Sequence, residues 1–377
     1  MSNINLLGPY QYIIKLTSLD VSTPFDGCCC KVFQVLRYLL ALLVICLLIV
    51  RAGILLKSES IVLTFGWAEC NLHLCLSVVA IVSAFCLLGW TRNKCLPKHL
   101  DRLQYLRSMR QHSDPVMDHY GILHIKCAIL PILWSIFLLG GAIYNLTNQK
   151  ILYGGHTTNI IFYIANPVIL LITVLIISIA VIYYTLVTVS IDREVDHFNK
   201  ELEATIDAGK LQDLRLALEY SNRHNEIIKV LRKANIKLSS LVTIGLTFSC
   251  FACFFGIYLA NFLEEIQILY MAFILGSMNG AIGLVVVMTS LAGNVQKKLA
   301  KTAQLLEQQT FEKCDNLQLF HTIQQIISRS NNPVNWIRVF GIPINTVTSG
   351  IFMPAIAIIA TITFFIRNVV LVSGANF

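Results

Sequence analysis

Apolar residues run along this chain in seven long blocks separated by segments dense in charge. The blocks span Val32 to Leu56, Ile61 to Trp90, Ile122 to Leu146, Ile160 to Val189, Leu238 to Leu263, Ile268 to Leu291 and Ile344 to Leu371. At about 1.5 Å of rise per residue, each is long enough to cross roughly 30 Å of hydrocarbon as a helix. A backbone in lipid has to satisfy its own hydrogen bonds, so every block is predicted to be helical. The second and fourth blocks exceed that thickness, and they are expected to tilt or to protrude beyond it.

The polar segments between the blocks are unequal in charge. The segments after the second, fourth and sixth blocks hold 21 Lys and Arg residues, whereas those after the first, third and fifth hold only Lys57 and Lys150. Cytosolic loops retain Lys and Arg, which places the N-terminus in the cytosol and the C-terminus outside. The expected fold class is all-α, a seven-helix membrane bundle of inverted topology.

Two of the cytosolic segments carry a pattern of their own. From Val195 through Leu211, Leu214, Leu218 and Tyr220 to Leu231, apolar residues recur every three or four positions among charges. The same spacing joins Leu319, Phe320, Ile323, Ile326 and Ile327. These read as amphipathic helices that prolong the spans below the membrane with a face needing a partner, in the same chain or in a neighbouring subunit. The predicted organisation is a cytosolic segment at 1–31, a six-helix bundle at 32–291, a cytosolic helical linker at 292–343 and a seventh helix with a short outer tail at 344–377.

Composition sharpens the class. Hydrophobic residues make up 56% of the 377 and charged residues 13%, with a mean hydropathy of +0.68, against about 25% charged in a soluble domain. The net charge of +8 belongs to the cytosolic loops, not to a nucleic-acid surface. The first 31 residues lack the short apolar core and cleavage site of a signal peptide, so the first span is expected to anchor the chain uncleaved in the plasma membrane. Of the 12 cysteines none falls in an outside loop. Cys250 and Cys253 form a CxxC midway along a span, where two small packing residues are expected. Cys28, Cys29 and Cys30 cluster directly before the first span, a setting for S-palmitoylation. Asn145, Leu146 and Thr147 form a glycosylation sequon at the outer end of the third span. No HExxH, GxSxG or Walker-type loop occurs, and neither a catalytic activity, a cofactor nor a metal is expected.

Ionisable groups inside spans are costly and mark function by default. Glu69 and His73 stand four residues apart in the second span and share a helix face, about 12 and 18 Å below its outer end at 1.5 Å per residue. They form either a ligand-contacting pair or a mutually satisfied structural one. The outer half of the bundle also holds Trp67, Tyr144, Asn145, Tyr163, Asn166, Tyr258, Asn261, Tyr270 and Asn279, aromatic faces and amides suited to a small polar organic ligand.

Seven spans invite comparison with G-protein-coupled receptors, for which Asp192-Arg193-Glu194 and Asn166-Pro167 offer partial motifs. Both lie in or just after the fourth span, out of place for that superfamily, and the orientation is opposite. The last third is more informative. It runs from Asn332-Pro333-Val334-Asn335-Trp336 through Pro343-Ile344-Asn345 to a closing Thr361-Ile362-Thr363-Phe364-Phe365-Ile366-Arg367-Asn368-Val369. This stretch, with the topology and length, resembles the insect-type gustatory and odorant receptor superfamily. Its closing signature of Thr, Tyr, five apolar residues, Gln and Phe aligns its Thr with Thr361, its Gln with Asn368 and its Phe with Val369; only the Thr is kept.

The resemblance implies a tetrameric, ligand-gated cation channel of the gustatory type, in which Thr361, Asn368 and Val369 of the last span line the pore. Its implied partners are a tastant-like organic ligand, membrane lipids and further receptor subunits. The alternative is a non-channel seven-helix receptor or scaffold. Pro343 and Pro354 are expected to interrupt the last span. Arg367 either faces the pore, where a ring of guanidinium charge repels cations, or snorkels to the outer interface.

Overall fold

A computed structural model describes residues 6, 8–10, 12, 28–58, 63–111, 120–148, 160–262, 268–308, 317–339, 342–344 and 346–372. Among these, the side chains at 28–34, 58, 145–148, 160–164, 339, 342–343, 346–353 and 369–372 are outside the description.

Nine α-helices dominate these residues: α1 Cys28–Ser58, α2 Phe65–Arg92, α3 Cys95–Ser108, α4 Gly121–Asn148, α5 Ile160–Asp207, α6 Leu214–Ala260, α7 Ile268–Glu307, α8 Leu317–Asn331 and α9 Thr346–Val372. The first, second, fourth, fifth, sixth and seventh are long and apolar enough to cross a membrane. The apolar part of α9 that can be described runs over Pro354–Asn368. At 48, 47 and 40 residues, α5, α6 and α7 reach roughly 60 to 70 Å, about twice the thickness of a hydrocarbon layer. The fourth apolar block therefore does protrude, continuing into charged sequence as one helix.

Three local details depart from the sequence reading. The polar segment after the second block is not only loop, because α3 forms there with His99, Leu103 and Leu106 buried. Pro343 lies before the last helix rather than in it, paired in a two-residue antiparallel ladder with Arg338 opposite. Pro354 sits inside α9 without ending it.

Close packing of α4 on α7 sets one wall of the bundle. Trp134 lies where a Cβ on Gly280 would come within 2.2 Å of its ring, Phe137 stands equally close to Gly276, and Leu130 meets Gly283 at 3.0 Å. In return Phe273 of α7 fills the space above Gly140 at 2.4 Å. Small residues at such a crossing let two helices approach closely, which is how helices associate in a membrane when hydrophobic burial gives no preference between lipid and protein.

The helical extensions find their partners within the chain. Leu319, Ile323, Ile326 and Ile327 of α8 are buried, as are Val195, Leu211, Tyr220 and Leu231, whereas Leu218 and Phe320 are exposed. Polar groups bind the same layer together. Glu194 accepts from Arg107 and Arg110, Glu201 from Arg223 and from the Gln111 backbone N–H, and Lys298 pairs with Asp192 at 2.8 Å and Asp196 at 3.4 Å. Arg193 stacks on Tyr120 at 4.5 Å, so Asp192-Arg193-Glu194 is a set of structural contacts. Asn335, fully buried, accepts from Arg232 at 2.6 Å and donates to the Arg329 carbonyl at 2.7 Å; this anchors the segment leading to α9. His99 lies 2.8 Å from Ser190 Oγ. Ser190 gives its one proton to the Val187 carbonyl, so Nε2 of His99 is the donor. Burial, reinforced by Arg102, pushes its pKa down to about 4.

Candidate functional site

Inside the apolar half of the bundle, α1, α2 and α5 meet at a charged group that lipid alone could not accommodate. Arg51 of α1 is 1% exposed. Its Nη1 donates to Ser77 Oγ of α2 at 2.9 Å and its Nε to Asn166 Oδ1 of α5 at 3.1 Å. Ser77 passes its own proton to the His73 carbonyl at 2.8 Å, which leaves its oxygen to receive Arg51. A guanidinium at membrane depth persists only with such partners.

Two turns before Ser77 on α2, Glu69 is 2% exposed and accepts from the hydroxyl of Tyr270 on α7. His73 Nε2 lies 4.0 Å from the same carboxylate oxygen. The four-residue spacing thus places both side chains on one face, and helix α7 closes over them. His73 Nδ1 has no hydrogen-bond partner among the described residues. Tyr270 stacks on Tyr144 at 5.3 Å, and Ser277 back-bonds to the Phe273 carbonyl at 2.9 Å.

Between these groups lies a cavity of about 20 Å3 lined by Glu69, His73, Asn166, Tyr270, Phe273 and Ser277, with apolar residues of α4 and α5 completing it. That volume takes a water or two; an organic ligand requires the helices to part. The lining combines an acid, an imidazole and an amide with two aromatic rings, the mixture that orients a small ligand.

A run of aromatic contacts leads from the cavity to the last helix. Tyr270 meets Phe65 at 6.3 Å, Phe65 meets Phe262 at 5.7 Å, and Phe262 meets Phe364 of α9 at 5.5 Å. Arg367 lies over Phe262 at 4.3 Å. On α9, Ala360, Phe364 and Arg367 turn toward the bundle, whereas the opposite face is exposed, with Ile359, Ile362 and Ile366 across it and Ile358, Thr361, Phe365 and Asn368 forming a stripe along one edge at three- and four-residue spacing. Thr361 and Asn368 therefore share a face that excludes Arg367.

The other predicted residues distribute unevenly. Glu69, His73, Asn166 and Tyr270 converge on the cavity. Trp67 and Tyr258 are not among its lining residues; their rings meet at 6.4 Å, and the Tyr258 hydroxyl donates to the Leu63 carbonyl. Asn261 bonds to the Ile257 carbonyl at the end of α6. Asn279 is exposed on α7, away from the cavity lining. The side chains of Tyr163, Val369, Asn145, Cys28, Cys29 and Cys30 lie outside the described residues, although their backbones belong to α5, α9, α4 and α1. Cys253 is buried and Cys250 partly so, as free thiols. Arg51 went unnoticed in the sequence, yet a lone arginine in an apolar run is itself a signal.

Among known proteins, a family model described as "Caenorhabditis protein of unknown function, DUF267" matches residues 6–369. No curated protein matches the sequence. Among solved structures, the insect olfactory receptor OR5 from Machilis hrabei superposes with a TM-score of 0.63 at 14% identity, over 97% of this chain and 98% of the receptor. The same receptor in complex with eugenol superposes at 0.62 and 13% identity, over 95% and 100%. At such identity the likeness is one of fold.

Proposed function

The chain belongs to the Caenorhabditis family DUF267, and we propose that it is a plasma-membrane chemoreceptor that conducts cations when a small organic ligand binds. The observation that carries this reading is the cavity at Glu69, His73 and Tyr270, set at membrane depth in a fold shared with an olfactory receptor. That receptor has been solved with eugenol, which supports a small organic ligand for this chain as well. Glu69 and His73 would orient the ligand, with Asn166 and Ser277 as further polar contacts. Opening of the cavity would press Tyr270 against Phe65 and so reach α9.

The reading extends to seven spans, α9 being the last, with the N-terminus in the cytosol and the C-terminus outside. The exposed stripe of Ile358, Thr361, Phe365 and Asn368 is a face that a lone chain leaves uncovered, and it supports a tetramer in which four copies of α9 surround a pore. Val369 would follow Asn368 at its gate. The gustatory type is the branch proposed, from the pattern around Thr361.

Patch recordings from cells expressing the chain, screened with small organic compounds, test the function. A ligand-evoked cation current is expected. A verified ligand that binds at the surface without evoking current would instead establish a non-channel receptor. Topology is read separately: a tag at the N-terminus should need permeabilised cells and one at the C-terminus should not.

A further inference from the structure

We propose that the basic patch where α2, α3 and α6 meet binds the phosphate headgroup of an anionic phospholipid. Only the leaflet assigned to it, the cytosolic one, rests on the orientation proposed above.

Depth is set by a single contact. Trp90, near the end of α2, donates its indole N–H to the Lys237 carbonyl at 2.9 Å, so the last turn of the α2 span and the first turn of the α6 span lie at one level. Residues at that level stand where hydrocarbon gives way to headgroups. Around it are Arg92 at the end of α2, Lys94 and Lys98 at the start of α3, and Lys233 and Lys237 on successive turns of α6. All five are exposed. Lys98 and Lys237 both act electrostatically on the Cys95 thiol, which brings the two helices' cations to one place.

None of the five makes an ion pair among the described residues, and the first turn of α3 carries no acid. Farther along the extensions Lys200, Lys229, Lys298, Lys301 and Arg223 each meet a carboxylate, whereas Lys210, Arg215 and Lys297 make no ion pair among the described residues. Retention of Lys and Arg on one side of the membrane would be met by scattered charges. It does not require cations of three helices to gather unpaired at headgroup level. Tyr105, seven residues beyond Lys98 on the same face of α3, is 55% exposed, and an amphipathic aromatic is suited to that interface. Clustered lysines and arginines at this depth attract anionic lipids, each contributing appreciably.

The test uses the full chain purified in detergent and titrated with phosphatidylinositol bisphosphate or phosphatidylserine, against phosphatidylcholine, with binding read by native mass spectrometry and by thermal shift. Anionic lipid should bind at least about tenfold more tightly than phosphatidylcholine. The triple substitution Lys94→Gln, Lys98→Gln, Lys237→Gln should remove that preference, whereas Lys200→Gln, Lys229→Gln, Lys301→Gln, equal in charge, should keep it. Equal loss in both triples, or none in either, overturns the proposal. Inorganic phosphate or a soluble inositol phosphate binding as well as the lipid overturns it too, in favour of a soluble anion. The measurement involves no current and no organic ligand, so its failure leaves the channel reading standing, and failure of that reading leaves the lipid result unaffected.

Discussion

Arg367 of α9 lies with its guanidinium carbon 4.3 Å from the centre of the Phe262 ring at the end of α6. The contact holds a charge against an aromatic face, an attraction of about 0.5–2 kcal/mol depending on how dry the site is. It also turns Arg367 away from the stripe that carries Thr361 and Asn368.

Ion selectivity should therefore separate neighbouring residues. Arg367→Gln is expected to leave the cation-to-anion permeability ratio unchanged while shifting the ligand dose-response curve, because it loosens α9 from α6. Asn368→Ala is expected to alter basal leak or selectivity among cations. Reversal potentials in ion-substitution recordings check both. An altered anion permeability in Arg367→Gln would return that residue to the pore.

Ligand sensitivity should depend on the buried polar set. Glu69→Gln and His73→Ala are each expected to weaken the response by about tenfold or more, the usual cost of a lost contact to a charged group, with surface expression intact. Arg51→Leu should differ. It leaves the Asn166 and Ser77 oxygens without the donors they now accept from and is expected to lower thermal stability first. Dose-response curves and melting of the purified chain separate the two outcomes.

The α4–α7 crossing predicts a graded glycine series. Gly280→Val drives carbon into the Trp134 ring and should cost about 1–3 kcal/mol or abolish surface expression. Gly283→Ala, facing the ends of Leu130 at 3.0 Å, should cost less. Gly89→Ala in α2 meets nothing within 4 Å and should be neutral or slightly stabilising, since alanine is the better helix former. Thermal unfolding of the four proteins tests the order.

His99 gives a pH dependence of known sign. Its pKa is depressed to about 4 in the folded chain, so between about pH 6.5 and 4 the unfolded state binds the extra proton. Its contribution to stability is present above the unfolded value and is lost as pH falls toward 4, on the order of 3 kcal/mol in all. His99→Gln, which keeps a donor for Ser190 but cannot titrate, should flatten that part of the curve of melting temperature against pH. An identical slope in both proteins would show that other groups carry it.

Much of this chain is legible from short stretches of sequence. The apolar blocks announce membrane helices because transfer into lipid depends on each segment's own residues, and the contrast in Lys and Arg between alternate loops is equally local. That Glu69 and His73 share a face follows from helix periodicity alone. The tertiary structure decided what meets them. Tyr270 lies 201 residues from Glu69, and Asn166 lies 115 from Arg51, distances over which no periodicity speaks. Whether the amphipathic faces near Leu231 and Ile323 need a second subunit was likewise open in sequence; packing within the chain answered it. The physical reason is the same in each case. Helix formation is paid for by bonds within a few residues, whereas the partner of a buried side chain is chosen by how helices fit together, as where the rings of α4 settle onto the glycines of α7.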